Sequence, residues 1–156
     1  MRLRYFPGFL GLVLSFLFFS SVPSTAEQVT NQTEARERAL LAQSYATEKL
    51  WVWQKRLNLE SWNITVQVAR TTELKPRTLG NIHWDAEKKK AVIKVLDPAD
   101  YTLALPEMLA DVEFTVVHEL IHLELSSLPR SEASRSEEEQ AVNQIARALL
   151  ALDRKQ

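Results

Sequence analysis

The chain has 156 residues, a formal net charge of −1 and no cysteine, which limits it to one small domain held by core packing, without disulfides or a cysteinyl lipid anchor. A balance so close to neutral, with no basic stripe, excludes the electrostatic footprint of a nucleic-acid binder.

Residues 1–26 read as a secretory signal. Arg2 and Arg4 precede an apolar run from Phe9 to Phe19, and Ser24-Thr25-Ala26 forms a small-residue cleavage site. Cleavage there removes two arginines and no acid, so the formal charge moves from −1 to −3 over the remaining 130 residues. An uncleaved membrane anchor is the alternative, since Tyr5 to Val22 approaches the ~18–20 apolar residues that a bilayer needs; Pro7, Gly8 and Gly11 weaken it. The expected protein is secreted or periplasmic, with residues 27–156 as its single domain, and a bacterial envelope suits an exported chain without cysteine.

From Thr33 to Leu59, apolar residues at Ala39, Leu40, Ala46, Leu50, Trp53 and Leu57 recur with helical period, predicting a long helix capped near Asn31 or Thr33. Trp51 and Trp53 are expected as packing anchors. Trp62 to Val68 alternates apolar and polar residues as a half-buried strand does. Two more strands follow, Leu79 to Trp84 and Ala91 to Leu96, joined by the polar turn Asp85 to Lys90 as a hairpin. Asp97-Pro98 ends the last strand, and Pro106 suits the first turn of the next helix.

That helix carries His118-Glu119-Leu120-Ile121-His122, an H-E-x-x-H string. Residues four apart stack on one helix face, so both imidazoles can address a single ion while Glu119, about 100° further round, reaches a water on it. A zinc hydrolase needs this arrangement, because the metal polarises a carbonyl and acidifies water while the glutamate accepts the proton. Short strings recur by chance, but Val116, Val117, Leu120, Ile121 and Leu123 place this one on a buried helix, where an unpaired imidazole costs free energy and a metal-bound one does not.

Catalytic zinc usually takes three protein ligands. The metzincin continuation fails, because Leu125 stands at its glycine and Leu128 at its third histidine. His83 lies upstream in a predicted strand, where a surface or structural role is expected. A carboxylate remains, and Glu137-Glu138-Glu139 opens a last helix with an apolar stripe at Val142, Ile145, Ala146 and Leu149. Acids in a first turn also suit the helix dipole on their own account. Glu139 shares a face with Val142, Asn143 and Ala146 and should point inward, Glu137 should point away, and Glu138, one turn before Val142, stays open.

With His118-Glu119-Leu120-Ile121-His122-Leu123 followed by Glu138-Glu139-Gln140-Ala141-Val142, the chain resembles the gluzincins, and among them the minimal single-domain metallopeptidases of bacteria and phages. The resemblance spans roughly residues 62–150 and is specific at the active-site helix, loose elsewhere. It implies an α+β, zincin-like minimal domain: an N-terminal helix, a small mainly antiparallel sheet, the active-site helix, and a C-terminal helix bearing the third ligand. It implies Zn2+ held by His118, His122 and Glu139, with Glu119 as general base, acting on a protein or peptide substrate. Gluzincins commonly carry an Asp or similar group one turn after the ligand glutamate to orient a histidine; Asn143 stands there, which favours Glu139 over Glu138 but leaves a neutral group in place of a carboxylate. By the same resemblance Ala91 to Leu96 would be the edge strand that aligns substrate. Tyr101 and His83 are candidates for polarising the oxyanion. A non-catalytic zinc-stabilised envelope binding or regulatory domain is the alternative; the intact Glu119 speaks against it. No nucleic acid is expected as partner, and a membrane only if residues 1–26 stay attached.

Overall fold

The computed structural model describes residues 25–129 and 134–155. Ile64 and Val66, then Ala91, Ile93 and Val95, alternate with more exposed neighbours and so turn one apolar sheet face toward the helices. The strands are β1 (Asn63–Ala69), β2 (Gly80–Asp85) and β3 (Lys90–Leu96), preceded by α1 (Thr25–Arg56) and followed by α2 (Leu105–Glu124) and α3 (Arg135–Asp153). α1 lies over β1, α2 lies over β2 and β3, and α3 packs against α2.

The sheet is mixed, in the order β1-β3-β2, with β1 parallel to β3 and β2 antiparallel to it. The expected mainly antiparallel sheet is corrected to one pair of each kind, and the expected edge strand, β3, is central. Composition explains the placement. β3 reads Lys-Ala-Val-Ile-Lys-Val-Leu and can be buried beside two neighbours, whereas β2 carries Asn81, His83 and Asp85, polar residues that suit an edge. The other edge is blunted: on α1 the Gln43 side chain donates to the Val66 carbonyl (2.9 Å) and accepts from the Val68 N–H (3.2 Å), imitating a neighbouring strand. β2 is thus the edge with backbone groups to offer.

Helix α1 buries Ala42, Ala46, Leu50 and Trp53, one stripe at helical spacing. Two details differ from expectation. Leu40 is 59% and Trp51 69% exposed, so only Trp53 of the tryptophan pair is an anchor. Thr33 is no cap; its hydroxyl donates back to the Val29 carbonyl at 2.9 Å within a helix that begins at Thr25. The signal-sequence call on 1–26 falls outside the described residues except for Thr25 and Ala26, which open α1. Among the described residues no helix is long and apolar enough to cross a membrane.

α2 is the best-anchored element. Met108, Val112, Val116, Val117 and Leu120 are all fully buried, and side chains of this size contribute about 1.5–3 kcal/mol each when removed from water. Its N-terminus follows the expected chemistry, with Pro106 in the first turn and Glu107 accepting from the Ala104 N–H at 3.2 Å. Gly80 lets β2 approach it closely: a Cβ there would lie 2.4 Å from Thr115 Cγ2 and 2.5 Å from the Lys94 carbonyl oxygen, so any side chain would push the edge strand off the helix.

Candidate metal centre and cavity

His118 and His122 stand one turn apart on the buried face of α2, and their Nε2 atoms converge to 3.1 Å with the rings edge to face. Glu139, in the first turns of α3, meets both: Oε2 lies 3.4 Å from His118 Nε2 and Oε1 3.3 Å from His122 Nε2. A tetrahedral zinc site with bonds of about 2.0–2.1 Å has ligand atoms about 3.3 Å apart. His118, His122 and Glu139 therefore form a group that could hold a metal ion.

The outer nitrogens determine which way the inner ones face. His122 Nδ1 is 3.0 Å from Glu138 Oε1. With the carboxylate oxygen as acceptor Nδ1 is the donor of this contact, which leaves Nε2 facing the cluster. His118 Nδ1 is buried without a hydrogen-bond partner. Burial, and next the neighbouring His122, lowers the His118 pKa against the opposing pull of Glu139 and Asn143. The ring is accordingly neutral at physiological pH. Two imidazoles and a carboxylate converging on one spot suit a divalent cation, and the residues present fit such an ion.

Sequence reasoning left Glu138 open as a ligand and gave the orienting role to Asn143. In the structure Glu139 stands at the inner nitrogens of both histidines and Glu138 at the outer nitrogen of His122, while the Asn143 side chain meets His118, the kind of position its offset from Glu139 anticipates. Both glutamates occupy the opening turns of α3, and only the helix's rotation against α2 decides between them. Sequence spacing does not carry that rotation.

Glu119 lies on the same turn, 7% exposed, and no group among the described residues hydrogen-bonds its carboxylate. Burial, then the charge of Glu139, pushes its pKa up to about 8, with Lys75 opposing. A carboxyl this close to neutrality is suited to exchange a proton near physiological pH.

Glu119, both histidines, Glu138 and Glu139 line an open cavity of about 760 Å³ whose other walls are β2 and the turn before it. Exposed His83, on β2, borders this cavity. Tyr101 does not; it packs on the small cluster of Ala69, Leu74 and Leu96, with its hydroxyl buried and unpartnered. Burial, with a smaller effect of Asp111, pushes its pKa up to about 12. Of these two residues only His83 borders the cavity. Compared with known proteins, the chain matches no family model, no curated protein and no solved structure.

Proposed function

We propose that the protein is a secreted or periplasmic metallopeptidase with a minimal zincin-like domain, hydrolysing peptide bonds in protein or peptide substrates. The observation that carries this reading is the convergence of His118 Nε2, His122 Nε2 and Glu139 within 3.1–3.4 Å of one another, beside a buried Glu119 whose carboxylate no other group hydrogen-bonds among the described residues. Two imidazoles and one carboxylate favour zinc among the divalent ions. Bound there, zinc would supply Lewis-acid polarisation of the scissile carbonyl and acidify an attacking water.

The chain's own groups do the rest. Glu138 holds the His122 tautomer through Nδ1. The Glu119 carboxylate accepts the proton from water as it attacks and returns it to the leaving amine. β2 is an edge strand beside the cavity, where an extended peptide could add along the sheet, which favours main-chain recognition.

The test is elemental analysis of the purified protein and of Glu139→Ala, Glu138→Ala and Glu119→Gln, alongside cleavage of casein. One zinc per chain, lost in Glu139→Ala and retained in a Glu119→Gln form that no longer cleaves, is the expected result. Absence of zinc from every form would overturn the reading, and zinc retained without any cleavage would favour a zinc-stabilised binding domain.

A further inference from the structure

The turn between β1 and β2 brings cations to the cavity. Lys75, Arg77 and, from the start of α3, Arg135 all line it. All three are exposed, and none of them makes a hydrogen bond or salt bridge to another side chain among the described residues.

Two of them stand where local structure does not favour them. Arg77 has φ 64°, a left-handed conformation that costs a residue with a Cβ about 1–2 kcal/mol. It follows Pro76 in the turn closed by the Thr78 N–H donating to the Lys75 carbonyl at 3.2 Å, a position where glycine would be the easy choice. Arg135 opens α3, at the end of the helix dipole that repels cations. Helix and turn stability therefore do not explain these side chains, and the cavity is what they share.

The charge balance gives them a role. Three cations, Lys75, Arg77 and Arg135, face Glu138 and Glu139 around one cavity. A divalent ion in the His118–His122–Glu139 group would leave that cavity with a surplus of positive charge. A cleft of one sign raises the local concentration of ligands of the other.

We propose that Lys75, Arg77 and Arg135 form a carboxylate-recognition rim that makes the protein select peptides carrying a negative charge close to the bond that sits over His118 and His122. The proposal rests on the peptidase reading and adds the substrate class. The recognised carboxylate is either an Asp or Glu side chain or a free C-terminus, and both would dock on the same guanidinium and ammonium groups.

The experiment uses the full chain carrying Glu119→Gln, zinc-loaded in one arm and chelator-stripped in the other, with fluorescent peptides of one unstructured sequence. The peptides are neutral and amidated, Asp-bearing and amidated, neutral with a free C-terminus, and Lys-bearing and amidated. Binding is read by anisotropy at low and high salt. One carboxylate peptide binds at least about tenfold tighter than the neutral amide, and salt erodes the difference. Whichever of the two it is identifies the source of the carboxylate. Lys75→Gln with Arg77→Gln, and separately Arg135→Gln, reduce that preference about tenfold while the neutral peptide binds as before, the internal control for folding.

Equal binding of all four peptides, or equal weakening of all four by the substitutions, would overturn the proposal. The peptidase reading fails by a different result, a wild-type protein without zinc that cleaves none of the peptides. A charge preference in the stripped arm stands apart from that failure, and cleavage without any charge preference leaves the peptidase reading intact while removing this one.

Discussion

Glu113 and Glu119 stand six residues apart on α2 and are almost equally buried, 8% and 7% exposed, yet one faces α1 and the other the cavity. Glu113 accepts from Trp53 Nε1 at 3.0 Å and from the Tyr45 hydroxyl at 3.2 Å, and pairs with Lys49 Nζ at 3.2 Å. Glu119 has no such partner among the described residues, and burial pushes it up to about 8. The same residue type at the same depth is a rivet in one place and, in the proposed mechanism, the proton acceptor in the other. What separates them is whether the neighbouring element brings donors, and only α1 does.

The largest expected effect comes from the cavity side. Glu119→Gln should lower peptide cleavage by about 10²–10⁴-fold, the scale of a lost general base. Its unfolding free energy, measured with chelator present at neutral pH, should equal or exceed that of wild type, because burial raises the Glu119 pKa and so costs the wild-type fold stability there, whereas the amide does not titrate. A large loss of stability would show that Glu119, too, is structural.

Glu113→Ala should behave in the opposite way. It strands an indole N–H, a phenol and an ammonium at the α1–α2 contact, and removing one partner of a buried ion pair costs about 3 kcal/mol or more. Urea denaturation is the measurement. Zinc content per folded chain should not change, since Glu113 touches neither histidine. A variant as stable as wild type would contradict the rivet.

Glu138→Gln lies between the two cases, because its carboxylate is satisfied by a prospective ligand rather than by the core. Groups that orient metal-bound histidines are worth about 10–100-fold in affinity. Zinc titration against a competing chelator should show that weakening, with folding unchanged. Equal affinity would mean that Glu138 does not orient His122, leaving Asn143, at His118, as the orienting candidate.

How much of this was legible depends on the distance over which each feature is specified. The histidines and Glu119 are set by spacing within one helix turn, and periodicity alone placed them. Strand positions were also local: the expected 62–68, 79–84 and 91–96 became Asn63–Ala69, Gly80–Asp85 and Lys90–Leu96. Pairing was not local. The hairpin turn joins β2 to β3 visibly, but β1 reaches β3 in parallel register only because the chain through residues 70–79 crosses to the far edge, and nothing in Ile64 or Val66 announces that. The Gln43 clasp on β1, the Glu113 cluster and the Glu138–His122 contact join residues 16 to 68 positions apart. Side-chain identity gave no sign of these encounters, because each depends on the angle at which two finished elements meet.

A third carboxylate gives the smallest expected effect and a control for both glutamates. Asp100 is well satisfied but superficial, accepting from Arg70 Nε (3.0 Å) and from the Thr71 N–H and hydroxyl (both 2.8 Å), with its other oxygen on the Arg70 guanidinium. The Thr71 backbone N–H, followed by Arg70, lowers its pKa to about 2. A group whose folded pKa lies below its unfolded value adds stability above the unfolded value, near 3.8, and loses that contribution as the pH falls toward 2. The stability of wild type should therefore decline between about pH 4 and pH 2 more steeply than that of Asp100→Asn, whose amide cannot titrate. Above pH 5 the variant should be less stable than wild type, by less than Glu113→Ala, since solvent screens an ion pair at this surface. Acid unfolding followed by circular dichroism reads both. Parallel acid limbs for the two proteins would mean that the Asp100 cluster holds no more tightly in the fold than in the unfolded chain, in contrast to the Glu113 cluster that anchors α2 to α1.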